Sequence, residues 1–294
     1  MMKKSDFLLF FLILFMALAG TLAYLGSSQS PSAGASALVP VVADSRETVQ
    51  LPVLMYHSIT DISSSVSEYT ILKDTFEEDL KWLGDHGFTS ITLQQLINYA
   101  ENGSALPDKP VLITFDDGYA NNYAFALPLL QKYHMNAVIS VIGCEADVSS
   151  GDMYRKLSNS SLSWGEIALL ASSGNVEIGS HTNDLHSTAG GRKGADKKPG
   201  ETVEEYQAIL KSDLSLMQEK VSAASGKAPL MFAWPYGAYP KDGSADEILK
   251  EVGFKVSVTS YQKMNTIERG NPDCLFGLKR FLRTPDFDMN KIIW

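Results

Sequence analysis

Cysteine is scarce in this chain: only Cys144 and Cys274 occur in 294 residues. In an exported protein the two could pair, or they could stay as free, mostly buried thiols; neither carries a functional reading. No cysteine lies near the N-terminal apolar run, which argues against a lipoprotein signal. Basic charge is also short, with 25 Lys and Arg against 34 Asp and Glu and a formal net charge of −9. That balance argues against a nucleic-acid binder, which would show a basic face. No internal repeat is visible.

The N-terminus carries a targeting pattern. Lys3 and Lys4 precede an uncharged apolar run at residues 7–25, the grammar of an export signal. The run has 19 residues, which is also enough to span a bilayer. Ala17-Leu18-Ala19 and Ala35-Ser36-Ala37 are both small-residue cleavage sites, so a cleaved signal and a retained anchor both stay open, the length of the run favouring an anchor. Residues 26–50, rich in Ser, Ala, Gly and Pro, read as a flexible linker. The expected organisation is a signal peptide or membrane anchor at 1–25, that linker, and one large domain over 51–294 working outside the cytoplasm.

From residue 53 onward, short apolar runs alternate with helical patterns. Strands are expected at 53–56, 89–92, 111–115, 137–142, 176–179, 230–233, 255–258 and 277–283. Helices are expected at 75–87 with Thr75 as N-cap, and at 93–102, 124–133, 164–172 with Ser163 as cap, 203–223 and 245–251. Repeated β-then-α implies an α/β fold with a parallel sheet closed, or nearly closed, into a barrel. In such folds reactive residues collect just after the strands.

The segment Thr114-Phe115-Asp116-Asp117-Gly118-Tyr119 follows the strand at 111–115. Adjacent carboxylates resist joint ionisation unless one is protonated, paired or bound to a metal. Taken alone, Asp-Asp-Gly is a turn sequence. Three of the five histidines also stand at strand exits, His57 after the first and His181 and His186 after the strand at 176–179. His86 and His134 sit near helix ends, exposed and without a role. Two ligands on one helix face would lie four apart; His181 and His186 are five apart, so a loop must bring them together. Two imidazoles and a carboxylate suit a divalent transition metal with positions left open. One aspartate then binds the metal and the other is free as a base for water. Trp234-Pro235-Tyr236-Gly237 follows a fourth strand.

Together, Thr-Phe-Asp-Asp-Gly-Tyr, the Ser-His-Thr…His loop and Trp-Pro-Tyr-Gly resemble the polysaccharide deacetylases, carbohydrate esterase family four with the NodB-homology domain. The resemblance runs from about Leu51 to the C-terminus, with the three motifs in the family's order. It implies a distorted (β/α) barrel and removal of N-acetyl groups from chitin-like polymers, peptidoglycan or poly-N-acetylglucosamine. By the same resemblance, Asp116 matches the catalytic base, and Asp117, His181 and His186 match the metal ligands. The Tyr119 N–H matches an oxyanion donor, and Trp234 and Tyr236 match the groove wall, where they would stack on a sugar ring; ordinary core packing is the alternative, more for Trp234 than for Tyr236. The cofactor it implies is a divalent metal ion, zinc by default, with cobalt, nickel or iron able to use the same ligands. The partner it implies is an N-acetylated glycan polymer.

Three departures stand out. The histidine spacing is five rather than four, which looks like the branch of poly-N-acetylglucosamine deacetylases. Phe232-Ala233-Trp234-Pro235 lacks the arginine that often orients the base. No histidine follows His186, so the family's late acid is absent. The opening Pro52-Val53-Leu54-Met55-Tyr56-His57 is similar to the start of that same branch and places the acid at His57; a structural histidine bonded to a neighbouring loop is the alternative. Arg280, sharing a strand face with Leu278 and Leu282, is a candidate to support Asp116, or to pair with another buried acid. The glycine-rich loop at 190–201 could touch a polymer or be merely solvated. A metal-dependent amidohydrolase on a small N-acyl compound or cyclic imide, and a glycan-binding protein without catalysis, are the rival functions.

Overall fold

A computed structural model describes residues 47–157, 160–240 and 243–294. The apolar run at 7–25, both cleavage sites and the linker up to residue 46 lie outside the described residues. Among the described residues, no helix is long and apolar enough to cross a membrane.

In chain order the elements are β1 (Thr48–Leu51), β2 (Val53–Tyr56), β3 (Ser58–Thr60), β4 (Thr70–Leu72), α1 (Lys73–Asp85), β5 (Thr89–Ser90), α2 (Leu93–Asn102) and β6 (Pro110–Phe115). A π-helical turn (Asn122–Ala126) runs into α3 (Leu127–Lys132), followed by β7 (Ala137–Val141), α4 (Gly143–Gly151), α5 (Trp164–Ser172), β8 (Val176–Ser180) and α6 (Val203–Ser225). The chain ends with β9 (Met231–Ala233), α7 (Ser244–Val252), β10 (Val256–Val258), β11 (Asn265–Glu268) and β12 (Phe281–Leu282).

The main sheet runs β10-β9-β8-β7-β6-β2-β12, every neighbour parallel, with β5 added beside the start of β6. The segment leading into β12 joins its two edges. On one side Leu278 bridges Val258 in β10 and the Arg280 N–H reaches the Tyr261 carbonyl. On the other, Phe281 and Leu282 pair with β2 and the Arg283 N–H reaches the Met55 carbonyl. The curled sheet thus forms the distorted (β/α) barrel expected from the strand–helix alternation.

All six residues of β6 are buried, as a central parallel strand covered on both faces requires. Their side chains alternate. Val111, Ile113 and Phe115 pack outward with the helices, while Leu112 joins Val53, Val138, Ala233, Val258 and Leu278 in a second cluster inside the barrel. With a period of two, residues 114 and 116 continue the inner face of Leu112. The outer layer is anchored by Tyr56, Phe76 and Phe115, whose ring centroids lie 5.1–5.5 Å apart. Beside them Arg283 grips Asp79 of α1 through Nε at 2.7 Å and Nη2 at 2.9 Å, and the Tyr56 hydroxyl donates to the same carboxylate at 3.0 Å.

Some expectations are corrected. α1 starts at Lys73 with Leu72 at its N-cap and no side-chain cap, because β4 feeds straight into it; Thr75 lies inside the first turn. Residues 48–50, expected in the linker, belong to β1, which pairs antiparallel with β11. The last strand is broken: only Phe281–Leu282 is regular, with Leu278 as a single bridge. Capping boxes at Thr92 and Ser163 fix α2 and α5 at the expected positions. Both cysteines are free, and His86 and His134 are exposed.

Phe76 is fully buried at the α1–sheet contact. Phe76→Ala should lower unfolding stability by about 3–5 kcal/mol, read from urea denaturation.

Candidate active site

The nine residues singled out from sequence line one cavity of about 540 Å³ at the C-terminal end of the sheet: His57 after β2, Asp116, Asp117 and Tyr119 after β6, His181 and His186 after β8, Trp234 and Tyr236 after β9, and Arg280 before β12.

Asp116 and Arg280 sit at the centre. The guanidinium donates to both carboxylate oxygens, Nη1 to Oδ1 at 2.7 Å and Nη2 to Oδ2 at 2.6 Å. Both side chains are buried. Arg280 is itself held by the Thr259 carbonyl at 2.7 Å and the Thr114 hydroxyl at 3.2 Å. Burial opposes the charge on Asp116, but Arg280 outweighs it, aided by His181, and holds the carboxyl well below the usual carboxylate range. Of the two partners the sequence left open for Arg280, the structure selects Asp116. A bidentate guanidinium uses one lone pair on each carboxylate oxygen, so each oxygen can still accept.

Asp117 turns the other way. Its backbone is left-handed, φ 66°, and Gly118 continues at φ 63°. This turn aims the carboxylate at the two imidazoles: Oδ1 lies 3.4 Å from His181 Nε2 and 3.4 Å from His186 Nε2. The ligating atoms of the three residues lie within 4.8 Å of one another. His181 Nδ1 is 2.8 Å from the Ala233 carbonyl. A carbonyl only accepts, so Nδ1 carries the proton and Nε2 presents a lone pair toward Asp117. Two imidazoles and a carboxylate fit a divalent cation. Without a cation, burial pushes His181 down, but the Asp116 and Asp117 carboxylates outweigh it and raise the imidazole above its ordinary value. Thr182 has φ 76° and Tyr236 φ 56°, so three of the four non-glycine residues with positive φ among the described residues belong to this site. Each such conformation costs on the order of 1–3 kcal/mol.

Tyr119 pairs with Ser161 in an isolated antiparallel bridge, flanked by the bonds Ala120 N–H to Ser160 O and Leu162 N–H to Gly118 O. In that register the Tyr119 N–H points away from Ser161, and no protein acceptor takes it up among the described residues. Burial and the Asp117 carboxylate push its phenol up to about 12.

His57 is buried at Nδ1, which has no protein partner among the described residues. Its ring meets Tyr69 edge-on at 4.9 Å, and Asn122 Nδ2 donates to its carbonyl at 2.8 Å. Burial lowers its imidazole, with Asp116 and Asp117 opposing. Tyr69 and Asn122 were not anticipated. Asn122 could have been sought, because it follows the aspartate motif by only a few residues; Tyr69 carries no local signal.

The aromatic segment divides between stacking and core packing. Trp234 is 1% exposed and packs between Phe232 and Tyr239, so it offers no open ring face for stacking. Tyr236 is 43% exposed, its ring 4.7 Å from that of His186. Beyond Tyr236 the cavity continues into an open groove of about 660 Å³, sharing Lys193, Tyr236, Gly237 and Ser260 and lined further by Tyr261. The loop at 190–201 therefore reaches the site through Lys193, and a Cβ on Gly194 would meet Pro235 Cβ at 2.8 Å.

Comparison with known proteins bears on the family and the fold. A family model described as polysaccharide deacetylase matches residues 103–257. The chain is 26% identical over 225 residues to the poly-β-1,6-N-acetyl-D-glucosamine N-deacetylase of Escherichia coli K12, covering 70% of this chain and 33% of that protein. It is 25% identical over 220 residues to the protein of the same name in Staphylococcus epidermidis, covering 75% and 71%. The solved structure of a de-N-acetylase from Aggregatibacter actinomycetemcomitans superposes with a TM-score of 0.71 at 28% identity, covering 83% of this chain and 98% of that one. The chain thus spans about a third of the length of its Escherichia coli relative.

Because the folded-state Asp116 is depressed, the pair's stabilisation is present above the unfolded carboxylate value of about 3.9 and is lost as pH falls through the folded one. Arg280→Met should cost about 3–5 kcal/mol at pH 7 by leaving a buried charge unpaired. Asp116 in that variant is raised instead, so the deficit should shrink as pH falls through the carboxylate range. Chemical denaturation of both proteins between pH 3 and 7 measures this.

Proposed function

The chain belongs to the polysaccharide deacetylase family, and from that premise we propose that it is a metal-dependent hydrolase removing N-acetyl groups from an N-acetylglucosamine polysaccharide, with release of acetate. One observation carries the reading: Asp117 faces two imidazoles while its neighbour Asp116, kept ionised by Arg280, opens on the same cavity. The names of the relatives favour a β-1,6-linked poly-N-acetylglucosamine, and the groove beyond Tyr236 has room for a polymer rather than a small amide.

Asp117, His181 and His186 would hold the divalent cation, zinc by donor type. When bound, such a cation supplies Lewis acidity toward the acetamide carbonyl and acidifies water. Asp116 takes the proton of the attacking water through the lone pairs Arg280 leaves unused. Arg280 also fixes that carboxylate so that it needs no reorientation during reaction. The Tyr119 N–H donates to the oxyanion of the tetrahedral intermediate. His57 delivers a proton to the departing amine, and its lowered value makes the protonated ring a stronger acid. Exposed Tyr236 flanks the sugar, and the products are acetate and a free amino sugar. We place the enzyme outside the cytoplasm, secreted or held to the membrane by its N-terminal segment, on the basis of the Lys3-Lys4 and apolar pattern.

Acetate release from N-acetylglucosamine oligomers, with zinc added, tests the proposal. Asp117→Ala should abolish both bound zinc and turnover; intact turnover would sink the mechanism. Asp116→Asn should retain zinc yet lose about 10²–10⁴-fold in turnover. Because the acid must be protonated, kcat/KM should decline as pH rises through the His57 value, and His57→Ala should remove that decline.

A further inference from the structure

The loop between the two histidines leaves little of its backbone free. Thr182 and Asn183 present carbonyls that are taken by the first N–H groups of α4, Gly143 at 3.0 Å and Cys144 at 2.8 Å. On the opposite side the next two N–H groups meet a single carboxylate on α6. Asn183 N–H donates to Asp213 Oδ1 at 2.7 Å and Asp184 N–H to Asp213 Oδ2 at 2.8 Å. Lys220, further along α6, donates to Asn183 Oδ1 at 2.7 Å and to Asp147 of α4 at 2.5 Å. The fit is close: a Cβ on Gly143 would lie 2.5 Å from Asn183 Oδ1 and 2.6 Å from Met217 Sδ of α6.

We propose that Asp213 is the positioning residue of the cation site, acting through the histidine loop and touching neither cation nor substrate. The argument is one of atoms. Five-residue spacing does not place two rings on one helix face, and Thr182 must adopt φ 76° to turn the chain between them. That strained conformation persists only where surrounding bonds over-determine it. An ionised carboxylate can accept from two successive N–H groups at once, one on each oxygen. An asparagine amide accepts on one side only and sets an N–H against an N–H on the other. With Asp213 in place, His181 Nε2 and His186 Nε2 both stand 3.4 Å from Asp117 Oδ1. Without it, the loop relaxes and the rings separate.

Zinc titration of the full chain, stripped by chelation, tests this by calorimetry. Asp213→Asn should bind zinc ten- to a hundred-fold more weakly, the range found when a group supporting metal ligands is removed, and Asp213→Glu should recover part of the loss. Glu177→Gln is the control: Glu177 also accepts a backbone N–H, from Leu93 at 2.7 Å, but on a residue outside the site, and its zinc affinity should match the parent. Zinc affinity within twofold of the parent in folded Asp213→Asn overturns the proposal. Should that variant not unfold cooperatively, Lys220→Met is titrated instead, with about tenfold weakening expected and parental affinity again overturning it. A parent that binds no zinc would instead sink the cation reading of Asp117, His181 and His186, on which this inference rests.

Discussion

The site depends on one buried ion pair. Two adjacent carboxylates resist joint ionisation unless each has its own counterion. Arg280 neutralises Asp116 through two bonds, and this leaves Asp117 to face the imidazoles. The pair also spans the barrel, since Arg280 comes from the segment that joins β10 to β2. The segment that closes the sheet therefore also brings Asp116 the counterion that keeps it ionised. Removing either partner would leave a buried charge that the surrounding apolar cluster cannot solvate.

The segment through β12 repeats the device on its other face. Arg280 points inward to Asp116 and Arg283, an odd number of residues later, points outward to Asp79, as strand alternation demands. One short piece of chain thus ties the mouth of the barrel to α1. Neither pair gives much net stability over an apolar replacement; what they supply is a fixed direction for each charged group.

Much of this was legible from sequence, for local reasons. β2, α2 and α5 fall on the expected residues, 53–56, 93–102 and 164–172, because apolar runs, 3.6-residue periodicity and capping side chains act within a few residues. β1 and β11 escaped notice because they are short, partly polar and pair only across most of the chain, and β3 and β4 because each is only three residues long. The same divide holds in the site. Strand exits placed Asp116, Asp117, His57 and His181 near one another, whereas the partner of Arg280 required knowing which edges of the sheet meet. Stacking and packing both stayed open for Trp234 in sequence, because its burial depends on Phe232 and Tyr239. Asp213 lies mid-helix in α6, where an acidic residue reads as a solvated face.

The span between Asp116 and Arg280 orders events in time. They stand 164 residues apart, while Asp117, His181 and His186 all lie upstream of residue 187. A growing chain therefore exposes Asp117, His181 and His186 well before the guanidinium emerges. Contacts of such long separation form late, since loop closure must precede them. The cluster that faces a cation and the guanidinium that keeps Asp116 ionised thus come from separate stretches of chain, and the second depends on the segment that closes the sheet.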